Sequence, residues 1–418
     1  MLEGAVANTT TMPTQDRLGL RWRVLGLLCL GIVFAMTPWF SATAILPELK
    51  VAWSVGEIGA AWLTNAVQIG FVVGALGSSI LNIPDIVSPR RLMTWGALLA
   101  AVLNLGLLLA DTAAMGIALR FLTGVVLAAV YPPAMKLATT WFVKGRGLAL
   151  GLVIGALTIG SGFPHLLRSA AGSVDWAAVV IATSALTLVA GSIFHFLISE
   201  GPHAYSKAKF DPSQIGAVLR DRGVALANLG YFGHMWELYA MWGWFLAFSA
   251  EVLRLNTAIE FSSASLLTFV VIGVGAVGCV LGGYLADRIG RTTTTALMMI
   301  VSGACALLIG LTYNGPLWLF LTIAIIWGVT VIGDSAQFSA MVTEIADRSL
   351  VGTALTLQMG IGFAITVLSI QLVPAMAEWF GSWQWAFIIL APGPLIGTVA
   401  ILILRRLPEA TKIAQGLR

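Results

Sequence analysis

The chain has 418 residues, of which 58% are hydrophobic and only 10% charged, with 45 glycines and a net charge of +4; its mean hydropathy is +0.92. That balance excludes a soluble globular or disordered chain, so this is an integral membrane protein whose helices pack through small residues. The charge is scattered among turns rather than gathered on a basic face, which argues against nucleic acid as a partner. Cys29, Cys279 and Cys305 stand far apart in apolar runs and form neither a disulfide framework nor a zinc site.

Residues 1–23 are polar, with no apolar stretch ahead of a cleavage site, and are expected to be a cytoplasmic tail rather than a signal peptide. Hydropathy then predicts twelve membrane spans, at 24–45, 58–81, 92–109, 114–137, 147–167, 176–197, 223–248, 263–285, 294–312, 317–342, 352–374 and 385–404. Each is long enough for a hydrocarbon core of about 30 Å at about 1.5 Å per residue. An even number puts both termini on one side, and 18 of the 23 lysines and arginines lie in the tails and connections of that side. The positive-inside rule makes it cytoplasmic, and a plasma (inner) membrane location is expected. The longest connection, residues 198–222, falls at mid-chain and reads as a cytoplasmic linker between six-helix halves 24–197 and 223–404, with 405–418 a second cytoplasmic tail.

Polar and proline residues inside the spans are costly in lipid and are therefore candidates for function. The first span carries Thr37-Pro38-Trp39-Phe40-Ser41. The second carries Asn65 and Gln68 on one face, a spacing more typical of interhelical hydrogen bonds than of ligands. The fourth holds Arg120-Phe-Leu-Thr-Gly124 and Tyr131-Pro132-Pro133; Arg120 is either an anion contact or a buried cation satisfied by carbonyls of the first span. In the seventh, His234 and Glu237 lie three apart near mid-membrane, a pair suited to taking up and releasing a proton, or else a purely structural hydrogen bond. Gly273-Val-Gly275-Ala-Val-Gly278 in the eighth fits a dinucleotide-loop pattern but has no strand before it, so it reads as a packing surface. The tenth supplies Asp334 and Gln337, again three apart.

Between the eighth and ninth spans stands Gly283-Tyr-Leu-Ala-Asp287-Arg288-Ile-Gly290-Arg291. This turn resembles the G-x-x-x-D-R-x-G-R signature of the major facilitator superfamily. A degenerate copy occupies residues 81–91, with Asp85 where the family has its acidic residue, and Gly147-Leu-Ala-Leu150 recurs as Gly352-Thr-Ala-Leu355, as parallel repeats would. The resemblance implies an all-α fold of twelve transmembrane helices in two pseudo-symmetric six-helix bundles, with a substrate site near mid-membrane lined by helices 1, 4, 7 and 10. It also implies a conformational lock built from Gly283, Asp287, Arg288, Gly290, Arg291 and Asp85, with Asp287 capping the start of helix 5 near Arg146 and Asp85 that of helix 11 near Gly352. Arg120 to Gly124 looks like the family's R-x-x-x-G motif of helix 4. The Gly-Pro dipeptide of the antiporter signature is absent from helix 5, and the cavity arginines of nitrate porters are absent from helices 2 and 8.

The reading is a proton-coupled secondary transporter of a small organic anion, working by symport and alternating access as a monomer in the lipid bilayer. Glu237 is expected to carry the proton, tuned by His234, with Asp334 as competitor; Arg120, Trp39, Tyr131, Tyr231 and Gln337 are expected to meet substrate. Proton-driven efflux of amphipathic compounds is the alternative within transport, and a non-transporting receptor the alternative outside it. Four scattered histidines, His165, His195, His203 and His234, offer no nucleophile–base or metal-ligand spacing, so neither an enzyme nor a metal or cofactor site is expected.

Overall fold

The structure, a computed structural model, describes residues 14–142, 145–171, 175–203, 210–257 and 261–418. Among them there is no strand. Twelve helical passages carry the chain: α1 (Thr14–Ala35), α2 (Glu57–Ile80), α3 (Pro89–Leu109), α4 (Ala113–Trp141), α5 (Arg146–Ala171), α6 (Ala177–Phe196), α7 (Arg222–Thr257), α8 (Ser263–Ile289), α9 (Arg291–Thr312), α10 (Leu317–Ile345), α11 (Val351–Phe380) and α12 (Ala386–Arg406). Ten of them have the length and hydropathy of a membrane span; in α7 the apolar run is diluted by Asn228, His234, Glu237 and its glycines.

Three of the breaks fall in helices expected to line the centre; another, at Val274 between Gly273 and Gly275, falls in α8. Beyond Ala35 the first passage resumes only as Ser41–Ala44 and Leu46–Ala52, because Pro38 has no N–H to give and holds Thr37 out of the helical region. In α4 the ladder is interrupted between Leu127 and Tyr131, just before the two prolines. In α10 it is interrupted at Asp334, between Gly333 and Ser335, with no proline to announce it.

The two ends of the chain differ from the sequence expectation. Helix α1 begins at Thr14, because Arg21 and Trp22 pack on Phe142 at the end of α4, with ring contacts of 5.3 and 5.1 Å. The residues after Arg406 form short turns over Pro408–Gly416, kinked at Ile413–Gln415, with Ala410 and Ile413 fully buried.

Packing repeats between the halves. In the first, α1 packs on α5 and α6, α2 on α4, and α3 on α6; in the second, α7 packs on α11 and α12, α8 on α10, and α9 on α12. Each pair recurs six helices later. Between the halves, α2 meets α11 and α5 meets α8, two contacts related by the same symmetry. The α2–α4 and α8–α10 pairs are the closest, and glycine is the reason. A Cβ on Gly70 or Gly124 would stand 1.9 or 2.1 Å from the carbonyl oxygens of Phe121 and Val67; on Gly278 or Gly328 it would stand 1.9 or 2.0 Å from those of Val329 and Val271. Packing replaces the hydrophobic effect in lipid, so these approaches hold each half together.

Glycine to alanine normally favours a helix by about 1 kcal/mol. Gly278→Ala must instead force α8 from α10, an overpacking cost of about 1–3 kcal/mol, and is expected to lower the melting temperature of the detergent-purified protein. Gly283, with nothing within 4 Å of its Cβ position, is the control: Gly283→Ala is expected to leave the melting temperature unchanged or raise it.

Candidate functional site

Arg120 lies on α4, fully buried, where the first passage is broken. Its guanidinium donates from Nη1 to the carbonyl of Pro38 and, at 3.1 Å, to Ser41 Oγ; from Nη2 to the carbonyl of Trp39; and from Nε to Leu63 O at 3.4 Å. Ser41 Oγ in turn donates to Asn104 Oδ1 at 2.7 Å. The carbonyls of Pro38 and Trp39 at the break are thus taken up by one cation, each of whose three nitrogens has a partner within the protein. Gly124, one turn on, lets α4 approach α2 and so brings Arg120 to its partners.

The break presents Trp39 and Phe40 to the opposite half. Trp39 stacks on Tyr239 of α7, with centroids 5.8 Å apart, and meets Phe71 of α2 at 5.1 Å and Phe363 of α11 at 6.1 Å. Phe40 meets Tyr239 at 6.4 Å and Trp242 at 6.2 Å. These six rings close the interface on the side away from the chain termini. Above them lies a cleft of about 110 Å³ bordered by Thr43, Lys50, Glu57, Gly243, Trp244 and Trp383, with Lys50 and Glu57 paired across its rim.

The structure separates the two residues of α7 that spacing had grouped. His234 faces α10: its Nδ1 stands 2.9 Å from Asp334 Oδ1, close enough for an ion pair but not aligned as a hydrogen bond, and its Nε2 has no partner among the described residues. Both side chains are 2% exposed, and the imidazole lies between Tyr231 and Phe338, at centroid distances of 6.1 and 5.3 Å. Glu237 is held elsewhere. Trp327 Nε1 of α10 donates to its Oε1 at 2.7 Å and Ser302 Oγ of α9 to its Oε2 at 2.9 Å. Spacing could not find these two partners, because they come from other helices.

The remaining candidates divide. Tyr131 opens the second part of α4, and the Tyr231 ring lies beside His234 and Phe338. Gln337 is turned away from them: its Oε1 accepts from Arg291 Nη1 at 2.9 Å. In the turn after α8, Arg291 also forms a two-pronged pair with Glu344, its Nε and Nη2 each 2.9–3.1 Å from the carboxylate. Glu344 then accepts from the backbone of Ala414 at 3.0 Å. Gly290, at φ +91°, has no room for a Cβ beneath the carbonyls of Leu417 and Arg418. This end of the motif therefore fastens the C-terminal segment to α9 and α10. Arg288 covers the Tyr284 ring at 4.2 Å. Asp287 is exposed and makes no hydrogen bond among the described residues, so the expected cap on α5 is not formed in this conformation. The side chain of Asp85 lies outside the described residues.

The model of the Major Facilitator Superfamily matches residues 28–357 and 238–417, and the chain belongs to that superfamily. It is a multi-pass membrane transporter of a small molecule, not an enzyme. Among curated relatives, the "Probable sulfoacetate transporter SauU" of Cupriavidus necator is 24% identical over 67% of this chain and 68% of its own. An MFS-type transporter of Aspergillus niger is 24% identical over 96% of this chain and 92% of its own, and the gallate transporter of Pseudomonas putida 21% over 69% and 71%. Among solved structures, a bacterial homolog of the human lysosomal transporter Spinster, inward-facing and unoccupied, superposes with a TM-score of 0.65 at 15% identity, covering 92% of this chain and 95% of that one.

If Arg120 serves the broken backbone, Arg120→Lys keeps the charge but cannot span three carbonyls. Each carbonyl left unpaired costs about 1–3 kcal/mol, so the melting temperature of the purified variant is expected to fall by several degrees. An unchanged melting temperature together with lost transport would assign Arg120 to the substrate instead.

Proposed function

We propose that the protein is a proton-coupled secondary transporter that moves a small organic anion by symport and alternating access, in the plasma membrane with both termini cytoplasmic. The observation that carries the reading is the buried His234–Asp334 pair, which joins α7 to α10 at the point where α10 is broken. Irregular backbone beside a buried ionisable pair is the arrangement in which transporters hold coupling ions. An anion needs a positive charge, and the donors of Arg120 are engaged by carbonyls of the first half. A proton on His234 supplies that charge instead. A carboxylate beside the imidazolium is attracted to it once Asp334 is protonated as well, because an ionised Asp334 2.9 Å from the imidazole would offset most of that attraction. Linkage is reciprocal, so the bound anion holds the proton more tightly to the same degree, which is the coupling a symporter requires. Relatives named for sulfoacetate and gallate support an anionic substrate.

Within this reading Asp334 and His234 handle the proton. Glu237, both of whose oxygens already accept from donors on α9 and α10, ties α7 to its neighbours; Tyr231, 6.1 Å from His234 between ring centroids, stands beside the pair, and Tyr131 is assigned with it to the substrate path. The sequence alone had favoured Glu237 as carrier, and its geometry supports the anchoring role. The lock residues Gly283, Asp287 and Arg288 engage the other half when the transporter turns outward.

The test is uptake into proteoliposomes across an imposed pH gradient, screened over a panel of organic acids that includes sulfoacetate and gallate, with cationic dyes alongside. Gradient-driven accumulation of an acid is expected. Asp334→Asn is expected to abolish accumulation while exchange between compartments of equal pH persists, and Glu237→Gln to accumulate substrate at a rate within about threefold of the parent, since an amide can still pair with Trp327 and Ser302. The reverse pattern returns the proton to Glu237; movement of dyes alone overturns the anion reading.

A further inference from the structure

Helix α2 carries Asn65, Gln68 and Phe71 at three-residue spacing, so they form one row along it. The ends of the row are fixed against the other half. Asn65 Nδ2 donates to Val367 O of α11 at 3.2 Å, and Phe71 meets Phe363 of α11 at 4.7 Å and Trp39 at 5.1 Å. Gln68 therefore sits between them, at the seam of the two halves. It is fully buried, yet neither its amide nitrogen nor its oxygen has a partner among the described residues. The same holds for Asn65 Oδ1 and for the indole nitrogens of Trp39 and Trp242, whose side chains are at most 2% exposed. Tyr239 lies against both tryptophans, at 5.8 and 5.6 Å. Five unsatisfied polar atoms thus gather around one nest of aromatic rings, although buried polar groups are otherwise almost always paired.

We propose that this nest is the ring-binding end of the substrate site and that the substrate class is a planar aromatic acid bearing ring hydroxyls. The unpartnered atoms are neutral donors and acceptors rather than charges, as hydroxyl groups require, and the rings of Trp39, Tyr239, Phe71 and Phe363 offer faces on which a flat ring stacks. His234 stands five residues before Tyr239 on α7, about 7.5 Å along the helix axis at about 1.5 Å per residue. A benzoate with its carboxylate at the imidazole points its ring and hydroxyls along α7 toward Tyr239 and the nest. The nest is shut in this conformation, and the ligand enters as the Trp39–Tyr239 contact between the halves opens. The proposal rests on the anion reading above and names the class of anion.

The experiment measures inhibition constants in proteoliposomes holding the full chain, with labelled 3,4-dihydroxybenzoate as the transported probe and unlabelled 3,4-dihydroxybenzoate, benzoate and cyclohexanecarboxylate as competitors. A site built around hydroxyl groups rejects analogues that lack them, so the dihydroxy acid is expected to compete at least about tenfold better than benzoate, and benzoate better than its non-planar counterpart. In Gln68→Leu the hydroxyl preference is expected to fall to about one. Trp242→Phe, which keeps the ring and removes only the N–H, is expected to reduce it part of the way and carries the test should Gln68→Leu fail to fold. The readout is a ratio of affinities, so a general loss of activity does not imitate it. Equal competition by benzoate and its dihydroxy form in the parent overturns the proposal, as does a preference unchanged in both variants. Accumulation of aliphatic acids without any aromatic one overturns it while leaving anion symport standing; absence of pH-driven movement of every acid overturns both.

Discussion

The break in the first helical passage sets the constraint from which the rest of the centre follows. A chain that leaves the helix inside a membrane exposes carbonyl groups that lipid cannot satisfy. Here those of Pro38 and Trp39 are met by one guanidinium reaching across from α4. A planar fork of five donors can do this and a point charge cannot. Once the carbonyls are satisfied, the irregular segment is stable enough to direct Trp39 and Phe40 into the opposite half, where they form the aromatic closure. One arginine thus supports both the local backbone and the interface between halves, and its full burial follows from that work.

Glycine contacts make each half a unit that can move as a body. Gly70 and Gly124 bring α2 onto α4, and Gly278 and Gly328 bring α8 onto α10, to distances at which a methyl group would collide with backbone oxygen. Contacts between the halves are of another kind. Rings stack, Asn65 holds a single carbonyl of α11, and a Cβ on Gly151, Gly155 or Gly162 would stand 3.4, 3.3 or 3.1 Å from Cys279, Ala276 or Ile272 of α8. The closest backbone approaches therefore lie within the halves rather than between them.

Charge follows the same division. Arg291 and Glu344 fasten the turn after α8 to the end of α10 and to the C-terminal segment, entirely within the second half. Glu237 is likewise bound inside that half by Trp327 and Ser302. Several of the polar atoms without partners among the described residues lie near the centre, namely His234 Nε2, Gln68, Asn65 Oδ1 and the indoles of Trp39 and Trp242, while others, such as both nitrogens of His165 and Thr398 Oγ1, lie within a half.

Much of this was legible in the residues themselves. Apolar runs of span length force helices, because lipid offers backbone groups no other partner, so the number of passages and the family follow from the sequence. Prolines announced the breaks in the first passage and in α4, and the small-residue pattern at Gly275 and Gly278 announced a packing surface. What no sequence rule decided was which side chain meets which. His234 and Glu237 stand three residues apart, but three residues advance a helix by about 300°, leaving the two about 60° apart around the axis. Packing turned that angle into different neighbours, Asp334 for one and Trp327 with Ser302 for the other. Gln337 was likewise drawn to Arg291, and the break at Asp334 has no proline to mark it. Spacing along a chain ranks residues by depth and face, whereas partners across helices depend on how neighbouring helices are rotated and how closely they approach, and only the assembled bundle sets those.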